Sequence, residues 1–256
     1  MNPILIKLRT AIGTVIATLM SITLLASLSP RLAHADTTTC TGLLTGAHDN
    51  VVVPSGADCI LLGAQVTGNV RVESAASLHA ISLGPVSTTI GGNVHGIHSR
   101  FVLLQFQTQV GGNLHIHGGD AGTTSGFDIL TSIGGNAQIE LNAGKTFVDA
   151  AIVGGQLHIM RNSGCIEAEF NTVGGNVRVE DNIIPLVSVC LLGNVSGGMS
   201  VTGNMVSGNL MVLRNTGDGA KQVAGNTVAK KLTCRDNDPP FLGGPNTSPT
   251  TEGQCF

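Results

Sequence analysis

VGGNLHI at 110–116, IGGNAQI at 133–139, VGGQLHI at 153–159 and VGGNVRV at 173–179 are copies of one phrase. Worn copies flank them: VTGNVRV at 66–72, IGGNVHG at 90–96, SGGMSVT at 196–202, VSGNLMV at 206–212 and VAKKLTC at 228–234. Taking the residue after the last glycine as an anchor gives Asn69, Asn93, Asn113, Asn136, Gln156, Asn176, Met199, Asn209 and Lys231. The intervals are 24, 20, 23, 20, 20, 23, 10 and 22 residues. A period near 20 is the mark of a repeat architecture.

The columns of the repeat have strand character. One and three residues after the anchor the chain is mostly apolar, as in Leu157 and Ile159; two and four after, it is mostly polar. That alternation is the two-residue period of a β-strand. A 20-residue unit is too short for a strand, a crossover helix and a second strand. It holds two or three short strands separated by Gly and Asn turns. Stacking such units pairs equal columns about 4.8 Å apart. The reading is an all-β fold, a parallel β-helix or β-solenoid of about nine rungs. Asn142, Asn162, Asn182, Asn215 and Asn237 recur six residues after an anchor, and Asn171, Asn194, Asn204 and Asn226 five before one. They are expected to form ladders at the bends, where Asn tolerates left-handed geometry and its amide bonds to the next rung. An antiparallel sandwich would not require these columns. An outer-membrane barrel would need aromatic girdles, and this chain has no Trp or Tyr.

Lys7 and Arg9 precede an apolar run from Ala11 to about Leu28, and Ala33-His34-Ala35 offers small residues where a signal peptidase reads. Residues 1–35 are therefore read as a secretory signal peptide cleaved before Asp36. The mature chain then keeps ten basic and sixteen acidic residues, a net charge of −6. This is no nucleic-acid footprint, and no second apolar stretch reaches the roughly 20 residues of a membrane span. Residues 36–237 form the solenoid domain, with 36–65 as its N-terminal cap, and 238–256 form a C-terminal capping tail. Six cysteines behind an export signal imply disulfides in an oxidising, extracytoplasmic compartment. Neighbours along the chain are the expected pairs: Cys40–Cys59, Cys165–Cys190 and Cys234–Cys255.

The Val53-Pro54-x-Gly56-x-x-Cys59 opening, the GGN rungs, and Leu232-Thr233-Cys234-Arg235-Asp236-Asn237 followed by Gly253-Gln254-Cys255 resemble a group of secreted bacterial proteins with GGN-type β-helix repeats. The resemblance covers most of residues 40–256. It implies fold and export, and no chemistry. The chain departs from the pattern where Lys230-Lys231 replaces Gly-Asn and where only ten residues separate Met199 from Asn209.

Two clusters carry what chemistry there is. The column two after the anchor reads Arg71, His95, His115, Gln138, His158, Arg178; the column four after reads Glu73, Ile97, His117, Glu140, Met160, Glu180. Four of the seven mature histidines share this face. His95, His115 and His117 are the candidate metal ligands. They read first as a solvated polar face, with no carboxylate or cysteine to complete a coordination shell. Asp149 and Glu169 each stand seven before an anchor, in adjacent rungs, at a separation suited to two glycosidase carboxylates. Glu167 lies on the same side, and Asp128, Asp149, Glu169 and Arg161 offer the residue types of a β-helix polysaccharide lyase. No cofactor motif is present. The functional reading is a secreted β-solenoid, a structural or surface-interaction module without an evident catalytic site, whose partner is a cell-surface polymer or another copy of itself. The alternative is a carbohydrate-active β-helix enzyme of polysaccharide lyase or glycosidase type.

Overall fold

A computed structural model describes residues 36–256, apart from 122, 129, 186–197, 239, 240 and 256. The segment 1–35 read as a signal peptide, Cys190 and Asn194 fall outside the described residues. No described residue is helical, and all named strand pairs are parallel. One 20-residue coil shows the plan. Ala137–Asn142 crosses the anchor face, Lys145–Asp149 the second face and Ile152–Val153 a short third face, before Gly154-Gly155 returns the chain to Leu157–Met160 on the anchor face. Each strand lies directly over its equivalent one coil earlier: Ala137 pairs with Leu157, Thr146 with Ile166, and Ile152 with Thr172.

The anchor face has eleven strands, from Thr37–Thr39 to Thr250–Gly253. The β-solenoid therefore makes about ten turns, roughly 48 Å of stack at strand spacing. The segments read as caps contribute coils of their own: Asn50–Val53 pairs with Val70–Val72, and Thr250–Gly253 with Lys231–Arg235. Inside, strand alternation builds continuous ladders such as Ile116–Ile139–Ile159–Val179–Val212, each residue 0% exposed.

One anchor is displaced. Met199 stands on the second face, paired with Ile166 and Lys221, and not on the anchor face. Val177–Glu180 pairs directly with Leu210–Leu213, so a single coil separates Asn176 from Asn209. The GGM phrase imitates the repeat, but 33 residues separate the true anchors and the excess falls before Gly198. Backbone pairing obeys the inward apolar pattern of Met199 and Val201, which here belongs to the second face.

Each Gly-Gly pair answers to stacking and not to a left-handed backbone. A Cβ on Gly111 would stand 2.6 Å from the carbonyl oxygen of Gly91 below it, so bends at strand spacing admit no side chain there. The left-handed positions lie elsewhere. His98, Leu141, Arg161, Asp181, Arg214 and Asp236 have φ between 48° and 56°, each five residues after its anchor. The asparagine ladder begins one residue later. Leu141, Arg161, Asp181, Arg214 and Asp236 thus take the conformation expected of the asparagines, and the asparagines turn inward and are buried.

Those asparagines form two internal ladders. In the first, side-chain amides link Asn142, Asn162, Asn182, Asn215 and Asn237 rung to rung. Each backbone N–H donates to the next Oδ1 at 2.8–3.2 Å. Gln254 ends it, its Oε1 accepting from both Asn237 N and Asn237 Nδ2 at 3.0 Å. The second runs Asn171, Asn204, Asn226 and ends on Asn246. Earlier coils place Thr108 and Thr131 at this corner, and each threonine hydroxyl donates to a backbone carbonyl. Both ladders finish on residues of the 238–256 segment.

Disulfides close the two ends. Cys40–Cys59 has Cα atoms 5.5 Å apart and Cys234–Cys255 5.3 Å, within the usual range. Cys165 is also disulfide-bonded, and its expected partner lies outside the described residues. Near the C-terminal end, Lys221 is fully buried; its Nζ donates to the carbonyls of Gly217 at 2.6 Å and Gly219 at 3.0 Å. Burial pushes its pKa down, against the opposing pull of Asp238 and Asp218. The lysine ties down the Gly217–Gly219 turn from inside, a role that its polar residue type conceals in the sequence.

Candidate functional site

The anchor face puts every second residue outward, so side chains two and four after the anchor stack in two adjacent rows. The first row is in unbroken register: Arg71 with His95, His95 with His115, His115 with Gln138, Gln138 with His158, and His158 with Arg178. The His95 and His115 rings stack, with centroids 5.0 Å apart and planes inclined by 14°. His115 and His117, two residues apart on Leu114–Gly119, face the same way with centroids 6.1 Å apart. His98, at the left-handed corner one rung before, meets the edge of His117 at 5.1 Å. Burial, then the charges of His115, Arg71 and His117, push the His95 pKa down. Burial followed by Arg178 does the same for His158.

Glu140 changes the reading of this face. It lies one rung above His117 and is only 6% exposed. Its Oε1 faces His115 Nε2 at 3.0 Å and His117 Nδ1 at 3.2 Å, and accepts from Gln138 Nε2 at 3.0 Å. Arg161 pairs with its other oxygen, Oε2. Since a carboxylate only accepts, each imidazole nitrogen aimed at it carries the proton. Burial raises the Glu140 pKa, but the bonds from His115 and His117 and the charge of Arg161 outweigh it and leave the group below its usual range. The sequence reading supplies no carboxylate to these histidines; the structure supplies Glu140. Among the described residues, His115, His117 and Glu140 are the group of potential ligands whose donor atoms all lie within 4.8 Å of one another. His95 stands beside the cluster and outside it.

The acidic pair is assembled as expected, and its base is not. Asp149 is in register with Glu169 on the second face. Burial, then Glu169 and Asp128, hold the Asp149 pKa above the usual carboxylate range, against the Ala150 amide and Lys145. Asp128 accepts from Gln105 Nε2 at 2.8 Å, and burial raises its pKa. Glu167 pairs with Lys145 at 2.7 Å, yet burial still raises it. Arg161 lies on the anchor-face side, bound to Glu140, so the lyase-like set of Asp128, Asp149, Glu169 and Arg161 does not come together. A separate trough of about 640 Å³ runs along the short third face. Its outward residues include Gln65, Thr89, Gln109, Ser132 and Ile152, and nothing lining it titrates.

Glu140 and His98 are the two neighbours that sequence reasoning misses. Register alone places Glu140, because the fourth position after Asn136 stacks on the fourth after Asn113. His98 occupies a corner that Gly118 fills in the next coil, and only the stacked corner geometry turns its ring toward His117. Among the described residues no helix is long and apolar enough to cross a membrane. No family model, no curated protein and no solved structure matches this chain.

Proposed function

We propose that this chain works outside the cytoplasm as a rigid β-solenoid that presents an outer face to a cell-surface polymer. The observation that carries the reading is the unbroken outward row Arg71, His95, His115, Gln138, His158 and Arg178 on a stack whose ends are closed by disulfides. A row of donors at about 4.8 Å intervals suits an extended ligand that makes one contact per rung. The disulfides favour an oxidising compartment, and export by the 1–35 segment follows from the sequence pattern. Co-sedimentation of the purified protein with isolated cell-envelope polysaccharide tests it, beside N-terminal sequencing of the exported chain. Saturable binding weakened in the Arg71→Ala/Arg178→Ala double variant, and a mature start at Asp36, are expected. Absence of binding, or reduced cysteines in a cytoplasmic product, would overturn the reading.

A carbohydrate-active enzyme is the second reading, favoured by one observation: Asp149 and Glu169 stack in register with the Asp149 pKa raised. Two carboxyls at about this spacing are the geometry of a retaining glycosidase. Release of reducing ends from a polysaccharide, abolished by Glu169→Gln, would favour it over the binding module.

A further inference from the structure

We propose that His115, His117 and Glu140 form a binding site for a divalent transition-metal ion of the zinc class. The site goes beyond the polymer-binding reading and does not depend on it. Its three donor atoms come from two adjacent rungs. His115 and His117 are two residues apart on one strand and so share a face, and register holds Glu140 over His117. The positions are therefore set by backbone pairing and not by mobile loops.

The distances fit a small ion. Oε1 of Glu140 stands 3.0 Å from His115 Nε2 and 3.2 Å from His117 Nδ1, and all three atoms lie within 4.8 Å. Ligands at about 2.0–2.1 Å from a tetrahedral ion are separated from each other by roughly 3.3 Å. The two carboxylate–imidazole distances need to lengthen by only a few tenths of an ångström to open the hydrogen-bonded cluster into a coordination shell, and the two imidazole nitrogens lie within 4.8 Å of each other.

Glu140 is prepared for the role. Arg161 holds Oε2 and leaves Oε1 toward the imidazoles, the kind of outer contact that orients a metal-binding carboxylate. The side chains of His115 and His117 are 36% and 29% exposed while that of Glu140 is 8%, so an ion reaches the site from the histidine side and solvent fills a fourth position. Two imidazoles and one carboxylate suit zinc and its neighbours. Calcium and magnesium, which take oxygen ligands, are disfavoured.

The test uses purified, chelator-treated protein and zinc chloride alone in a calorimeter, with cobalt(II) as a visible probe of geometry. Expected are one ion per chain, a sub-micromolar dissociation constant, and the absorption of tetrahedral cobalt. Glu140→Gln and His117→Ala should each weaken binding by about tenfold or more. His158→Ala, on the same row but outside the cluster, should leave it unchanged. Circular dichroism checks each fold; if Glu140→Gln fails to fold, the partly exposed His117→Ala decides. Binding weaker than micromolar, or binding that His117→Ala leaves intact, would overturn the site and leave a hydrogen-bonded cluster. So would an equal loss in His158→Ala.

Discussion

Asn182 shows what one residue does in this fold. Its Oδ1 accepts from the backbone N–H and the Nδ2 of Asn162, and its Nδ2 donates to Ile159 O and Asn215 Oδ1. The side chain is 0% exposed, so no water replaces a lost partner. Asn182→Ala strands buried polar groups on both sides of the rung, at about 1–3 kcal/mol per unsatisfied group. Asn93 belongs to a similar chain of amides at the exposed Gly-Gly-Asn turns, where Asn113 N and Nδ2 donate to it. Water can take those donors when it is removed. Urea unfolding should therefore show Asn182→Ala losing about 3 kcal/mol and Asn93→Ala less than about 1 kcal/mol. Equal losses would contradict the assignment of the internal ladder as the stabilising one.

Columns are the working elements here, and a column repeats its errors as well as its contacts. Stacking Asp149 on Glu169, with Asp128 one coil before, places like charges at strand spacing, which is unfavourable by roughly 0.2–1 kcal/mol for directly opposed residues. Asp149 has its folded pKa raised, so its ionised form costs stability at neutral pH. The cost disappears as pH falls through the folded pKa and is gone below the ordinary aspartate value of about 3.9. Asp149→Asn should accordingly raise the melting temperature at pH 7, with the advantage fading as the medium is acidified toward pH 3. A gain that persists unchanged at low pH would assign the effect to packing and not to charge. Glu140 has the opposite sign. Its depressed pKa means that its ion pairs contribute stability above the ordinary glutamate value, lost as pH falls through the lower folded one.

At the scale of the molecule, the ends decide whether the stack is closed. The Cys234–Cys255 bridge spans 21 residues and anchors the last coil, where Gln254 and Asn246 terminate the two amide ladders. Replacing both cysteines with alanine should cost about 3 kcal/mol by loop-closure entropy. Proteolysis should then start in the 238–256 segment; an unchanged melting temperature and protease pattern would show that the ladders alone hold the end. Much of this was legible in the chain itself. The phase of Leu157 and Ile159 determined which side faces inward, because a strand leaves only two choices and one of them buries charge. The period near 20 determined a stacked coil, and the amide columns determined rung-to-rung bonding. Met199 misled because Gly-Gly followed by alternation is a local pattern, and nothing local says which face of the coil a strand will join. That choice belongs to the backbone pairing of a neighbouring coil. The same holds for Glu140, 23 residues beyond His117 in the chain and 3.2 Å away in the fold, and for the left-handed corners, which fell to the residue before each asparagine so that its amide could point inward. Sequence determined the period and the inward face; only tertiary register, which sums many weak pairings along the whole stack, decided which side chains meet.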